Sequence, residues 1–287
     1  MELTPECIPC LLGRVLFESE LCAPDRSSEA MRTGLAILYE NYVSGVNSAE
    51  VATKLHSHVY DILGCDDPYI ELKERSDIVA RSLLDRANDF IDRSTDRLEA
   101  AVLVAIAGNV MDFGIPGHDD PEQLVNDLDT ILLQGLNIND VDQLKDKLGS
   151  GKKAVYLTDN CGESVFDRLL VEEIRKTGTR VIGIVKGAPV LTDVTMDEVH
   201  RAGLDEAFDE LLDTGMFAVG IDVKKISSNL RSVLDDADII ISKGMANFES
   251  LSDSEIGPIM YLLRAKCRPV AKAIGAKKGD NVAKLFV

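Results

Sequence analysis

Two rhythms of apolar and polar positions divide this chain. Up to about residue 134, apolar side chains recur every three to four positions, the period that gives a helix one core-facing stripe. The spacing predicts helices over 8–21, 28–42, 48–63 and 69–92, with Ser27 or Ser28 capping the second. Residues 98–107 are apolar nearly all round and predict a buried central helix. Glycines bracket the turn Gly108-Asn109-Val110-Met111-Asp112-Phe113-Gly114, and His118-Asp119-Asp120-Pro121 opens a further helix to about Gln134.

From Lys153 the rhythm changes. Short β-branched or aliphatic runs at 154–157, 181–185, 237–241 and 259–263 alternate with helical stretches at 164–176, 196–202 and 224–235. Residues 281–286 are a candidate last strand, at an edge. The alternation predicts an α/β fold with a doubly wound, mostly parallel sheet behind an all-helical amino-terminal half. Leu148-Gly149-Ser150-Gly151-Lys152-Lys153 is the natural seam, giving a helical domain over 1–148 and an α/β domain over 149–287.

Charge narrows the class of partner. The chain has 287 residues, 31 Lys plus Arg against 49 Asp plus Glu, and a net charge of −18. Such a surface repels phosphate backbones and anionic lipid, which argues against nucleic-acid and membrane partners. A phosphorylated substrate then needs a local cation, metal or lysine. No apolar run approaches the ~20 residues of a membrane span, and the first residues lack the pattern of a secretory signal, so a cytoplasmic location is expected. Six scattered cysteines do not suggest a disulfide scaffold.

Three loops at expected carboxyl ends of strands carry the chemistry. The first is Thr158-Asp159-Asn160-Cys161-Gly162-Glu163, the second runs from Lys186 through Asp193 to Thr195, and the third is Ser242-Lys243-Gly244-Met245-Ala246-Asn247-Phe248-Glu249. In open α/β sheets ligands collect at this edge. The loops offer Asp159, Asn160, Glu163, Asp193, Asn247 and Glu249 as oxygen ligands and Lys186 and Lys243 as cations, a set suited to a hard divalent ion with an anionic substrate. Helix capping by Asp159, Asn160 or Asp193, and a plain turn at Lys243-Gly244, are alternative readings. No Gly-x-Gly-x-x-Gly follows a strand, Gly149-Ser150-Gly151-Lys152 precedes its strand, and no Gly-x-Ser-x-Gly elbow occurs. His56 and His58 lie two apart and read as surface residues. Cys7-Ile8-Pro9-Cys10 has C-x-x-C spacing at a helix start, either two small buried residues or an accessory metal or redox pair.

Several spaced motifs in one order resemble the metal-dependent damage-control phosphatases, nearest their prokaryotic and archaeal branch with an amino-terminal C-x-x-C. They are Cys7-Ile8-Pro9-Cys10, Asp67-Pro68-Tyr69 with Lys73, Gly108 to Asp112, the Thr158 to Glu163 turn, the Pro189 to Thr195 loop, Lys243 to Glu249, and Leu263-Arg264-Ala265-Lys266-Cys267. The resemblance implies a helical domain packed on a Rossmann-like domain with the site between them. It implies one divalent cation (Mn²⁺, Mg²⁺, Co²⁺ or Ni²⁺) on Asp159, Asn160 and Asp193, with Thr192 where the family usually has Asn. It also implies hydrolysis of small phosphorylated metabolites, sugar phosphates among them, that are harmful or off-pathway. On this reading Asp159 or Glu163 orients the attacking water and Lys243 holds phosphate oxygens. Asn109 and Asp112 touch the organic part of the substrate, and Lys186, Gly244, Asn247 and Glu249 complete its pocket. Two rival readings are a non-catalytic metal- or nucleotide-binding module and a carboxyl methyltransferase; the second lacks a glycine-rich cofactor turn.

Overall fold

A computed structural model describes residues 1–109 and 123–287. Asp112, the rest of the turn after Asn109, and His118 to Pro121 lie outside the described residues. The first half supplies α1 (Cys7–Cys22), α2 (Ser27–Asn41), α3 (Ser48–Leu63), α4 (Ile70–Ser82), α5 (Leu84–Arg93), α6 (Arg97–Gly108) and α7 (Gln123–Gln134). Then come β1 (Ile138–Asn139), α8 (Val141–Lys145), β2 (Lys153–Leu157), α9 (Glu163–Arg175), β3 (Arg180–Val185), α10 (Met196–Ala202), α11 (Leu204–Ala207) and β4 (Glu210–Asp213). The chain ends with α12 (Ser228–Asp235), β5 (Ile239–Lys243), α13 (Gly244–Leu251), β6 (Ile259–Arg264), α14 (Arg268–Ile274) and β7 (Asn281–Phe286). Among the described residues no helix is long and apolar enough to cross a membrane.

Local chemistry sets several ends. The Asn47 side chain accepts from the Ala49 and Glu50 amides and starts α3, which stops at left-handed Gly64. A capping box between Thr195 and Glu198 starts α10, so Thr195, not Asp193, caps it. Arg26 precedes α2 with no side-chain cap, so neither Ser27 nor Ser28 serves as one. The helix expected over 69–92 is two helices meeting at Leu83. Val79, Ala80, Leu83, Ala87 and Ile91 all join one core, so the apolar period crosses the break without showing it.

Among the described residues seven strands form one sheet in the order β1-β7-β6-β5-β2-β3-β4. Pairing is parallel except between β6 and β7. Residues 281–286 do form a strand, but β1 covers its outer side, so it is not an edge. β1 lies ahead of the 148–153 seam yet belongs to the sheet. Side chains alternate across the sheet. Ala154, Tyr156, Val181, Ile239 and Ile241 face α6 and α9; Val155, Ile182, Ile184 and Ile240 face α12, α13 and α14. As its composition predicts, α6 is buried along nearly its whole length. A separate core joins α1, α2 and α3 to Val190, Leu191 and Val219 of the α/β half.

Candidate active site

The strand order reverses direction at β2. From β2 the chain adds β3 and β4 on one side, then returns to place β5 and β6 on the other. The crevice between the carboxyl ends of β2 and β5 is therefore the switch point where ligands bind in such sheets.

The turn after β2 is held from both halves of the chain. Gly162 precedes α9 at φ 75°, and no side chain caps that helix, so Asp159 and Asn160 are not its caps. The Gly162 amide donates to Asp77 Oδ1 on α4 at 2.6 Å, and Arg201 of α10 pairs with the same carboxylate. Nearby, Lys73 reaches Asp67 at 2.8 Å and Glu198 at 3.3 Å, fastening α4 to α10. These ties join Asp67 and Lys73 to α10, the helix that also carries Arg201.

The second loop lies directly along the first. The Cys161 amide donates to Thr192 O at 2.8 Å and the Val194 amide to Asp159 O at 3.0 Å, so Asn160 and Asp193 form an antiparallel bridge. Backbone bonding thus brings Asp193 beside Asn160 whatever their side chains do. Leu191 is held at φ 49°, a region non-glycine residues seldom adopt; its amide donates to the Tyr60 hydroxyl of α3 at 3.1 Å. Thr192 Oγ1 donates to Asn160 Oδ1 at 2.6 Å, which fixes the amide with its oxygen toward the loop. Asp193 Oδ2 is 3.2 Å from Lys186 Nζ, and that ammonium also donates to Asn247 Oδ1.

Asp159, Asn160 and Asp193 line one cavity of about 340 Å³, together with Met245 and Glu249 of α13, Cys7, Cys10 and Arg14 of α1, and the 266–269 segment. Of the other candidates for the substrate pocket that are among the described residues, only Glu249 is on that wall, where its carboxylate accepts from Ser48 Oγ at 2.6 Å. Lys186 and Asn247 are buried behind Asp193.

Glu163, Asp167 and Lys243 form a second layer with no exposure. Lys243 donates to Glu163 Oε1 at 2.6 Å, to Asp167 and to the Ala105 carbonyl of α6. Glu163 Oε2 accepts from Asn109 Nδ2 at 2.7 Å and Asn160 Nδ2 at 3.0 Å. Both amides also donate to Asp159 Oδ2, at 3.0 and 2.7 Å. Asn109 therefore links the two layers rather than facing the cavity. Burial, reinforced by Glu163, pushes the Asp167 carboxyl up to about 6 against the pull of Lys243. Burial opposes the Lys243 charge, but Asp167 and Glu163 outweigh it and the ammonium titrates above its ordinary value. Gly244, at φ 73°, lies against Asp159; a Cβ there would stand 1.8 Å from Asp159 Oδ2.

The donor chemistry fits a hard cation. Among the described residues no group of three His, Cys, Asp or Glu side chains is placed to hold an ion. A cation at this wall would take the carboxylates of Asp159 and Asp193 and the amide oxygen of Asn160, which has a second lone pair beside the Thr192 bond. Two carboxylates with places left for water and phosphate is the pattern of Mg²⁺-type ions.

Sequence reasoning missed three cations of the cavity, Arg14, Arg268 and Lys278, and gave Lys266, which it noted within the 263–267 motif, no role in the site. Lys266 and Arg268 follow β6, so the rule that singled out the β2 and β5 loops also covers them. The reading of His56 as a surface residue is incorrect. It is fully buried with Nδ1 2.8 Å from Glu18 Oε1, because it shares the apolar face of α3 with Ala52, Val59 and Leu63. The C-x-x-C pair does open α1, but Cys10 is exposed and Cys7 half-buried, so they are not two buried core residues.

Residues 3–282 match the model of the damage-control phosphatase ARMT1-like domain. The chain belongs to this family. It is 43% identical to a damage-control phosphatase of Archaeoglobus fulgidus, over 99% of each chain. A damage-control phosphatase of Pyrococcus horikoshii is 33% identical, over 98% of this chain and 97% of that one. The crystal structure of a DUF89 family protein from Pyrococcus horikoshii superposes with a TM-score of 0.88 at 32% identity, over 99% of both chains. Membership accords with the fold and motif order described above.

Proposed function

We propose that the protein is a divalent-cation-dependent phosphatase that hydrolyses small phosphorylated metabolites, sugar phosphates or related damaged or off-pathway compounds. One observation carries this reading: the bridge between Asn160 and Asp193 joins two strand-end loops and puts Asp159, Asn160 and Asp193 on the wall of a single cavity. The family and the names of its relatives support phosphatase activity; the cation rests on the donor set.

Asp159, Asn160 and Asp193 hold the cation, which when bound neutralises phosphate charge as it grows in the transition state. The chain's own groups do the rest. Arg14, Lys266, Arg268 and Lys278 offset the four carboxylates of the cavity, Glu6, Asp159, Asp193 and Glu249, so within a protein of net charge −18 this wall carries no formal excess of negative charge and repels an anionic substrate less than the rest of the surface. Asn109 and Asn160 fix the Asp159 carboxylate through Oδ2, so it can orient an attacking water and accept its proton. Lys243 acts at one remove: it holds Glu163, which holds both amides.

The test is phosphate release from p-nitrophenyl phosphate and a panel of sugar phosphates with Mn²⁺, Co²⁺, Ni²⁺ or Mg²⁺, each beside a chelator control. Release that stops with chelator and returns with added cation is expected. Turnover indifferent to chelator refutes the cation. Tight binding of phosphorylated compounds with no turnover in any cation points to a binding module.

A further inference from the structure

None of the chemistry above uses a thiol, yet three of the six cysteines stand on the wall of the cavity. The others lie apart from it. Cys161 is buried, and Cys22 and Cys65 are hydrogen-bonded to each other where α1 and α3 end. Cys7 is the first residue of α1, and Cys267 immediately precedes α14. Their chain neighbours, which also line the cavity, touch: Arg268 Nη2 is 3.4 Å from Glu6 Oε1. Residues next to both thiols are therefore in direct contact although 260 positions separate the cysteines (267 less 7). Cys7 and Cys267 are half-buried, and Cys10, one turn further along α1, is exposed. Burial pushes the Cys267 thiol up to about 11 against the Val270 amide, with Glu249 and then Cys7 and Cys10 adding to the rise. That disfavours Cys267 as the thiol that starts a bond.

We propose that Cys7 and Cys267 are a reversible redox site whose disulfide ties α1 to α14 across the mouth of the cavity and restricts access to Asp159 and Asp193. The oxidant is a low-molecular-weight disulfide. The Cys7 thiolate attacks one of its sulfurs and releases one thiol, leaving a mixed disulfide. Cys267 then attacks the Cys7 sulfur and releases the second thiol. Two protein thiols lose two electrons and two protons, and the small disulfide leaves as two thiols. The activity restricted is the phosphatase proposed above, but the bond itself does not depend on that assignment.

The experiment uses the full chain carrying Cys22→Ser and Cys65→Ser, which removes the other adjacent thiol pair. Oxidised glutathione is added, and bonds are mapped by mass spectrometry of peptides prepared without reduction. The expected result is a Cys7–Cys267 bond, at least a tenfold fall in chelator-sensitive phosphate release, and recovery with dithiothreitol. Adding Cys267→Ser should abolish the bond and the inhibition, whereas Cys10→Ser should leave both. A Cys7–Cys10 bond, or none to Cys267, overturns the site. A mapped Cys7–Cys267 bond with turnover unchanged overturns its control of access. If no phosphate is released under any condition, the mapping still decides the bond, and a higher unfolding midpoint in the oxidised protein reports the strap.

Discussion

The cavity wall and the layer beneath it share the turn after β2 but meet different surroundings. On the wall, Asp159, Asn160 and Asp193 face a space large enough for a small ligand. One layer down, Glu163, Asp167 and Lys243 hydrogen-bond to each other, to Asn109, Tyr156 and the Ala105 carbonyl, and to the wall only through the Asn160 amide. A carboxylate on the wall can serve a cation or a substrate. A carboxylate below it has its charge already matched by Lys243, and breaking that match leaves ions stranded in the core. The wall is thus expected to govern turnover and the lower layer stability.

Substitutions that separate turnover from stability test this division. Asp159→Ala or Asp193→Ala should lower chelator-sensitive phosphate release about 10³-fold or more, about 4 kcal/mol of transition-state stabilisation, while circular dichroism shows the native fold. Turnover near the wild-type value in either variant would take that residue off the cation.

Lys243→Ala should act the other way. Removing the cation shared by Glu163 and Asp167 costs about 3–5 kcal/mol of stability, read as a lower urea midpoint, with KM little changed in the protein that remains folded. A stable variant with a raised KM would instead put Lys243 in contact with substrate.

Gly244→Ala probes the seam between the layers. The new Cβ would collide with Asp159 Oδ2, and φ is 73°. We expect turnover to fall by about 10–100-fold as the carboxylate is displaced, against a stability loss of about 1–2 kcal/mol from the left-handed backbone. Equal turnover in the variant would mean that the Asp159 position is not critical.

A pH dependence probes the lower layer alone. Asp167 is raised from 3.8 to about 6 in the folded chain. Between those values the folded state keeps a proton that the unfolded state releases, so this group's contribution to stability falls as pH rises through the window. The melting temperature of the wild type relative to Asp167→Asn should therefore drop between pH 4 and pH 7. A flat difference would show that Asp167 is ionised throughout.

Much of this site was legible because strand ends in a doubly wound sheet converge, and Asp159, Asn160 and Asp193 stand at those ends. Their sharing of a cavity was an inference from topology that the Asn160–Asp193 bridge now supports with backbone hydrogen bonds. Lys243 was harder to place. The apolar run suggested a strand ending at Ile241, which left Lys243 in a loop, free to face a ligand. β5 instead continues to Lys243, and Ile239, Ile241 and Lys243 share one face, so strand alternation turns the ammonium toward α6 and α9. The cations Arg14 and Lys278 gave no local signal, because they reach the cavity only through packing of α1 and of the turn before β7. Strand β4 escaped notice for a similar reason: Glu-Leu-Leu-Asp lacks the β-branched residues that mark a strand, and its neighbour β3 supplies the pairing.

The most direct test of the central claim is Mn²⁺ binding followed by electron paramagnetic resonance in the wild type, Asp159→Asn and Asp193→Asn. One tightly bound Mn²⁺ per wild-type chain, and at least tenfold weaker binding in each variant, is the predicted result. Undiminished Mn²⁺ affinity in both variants would contradict it.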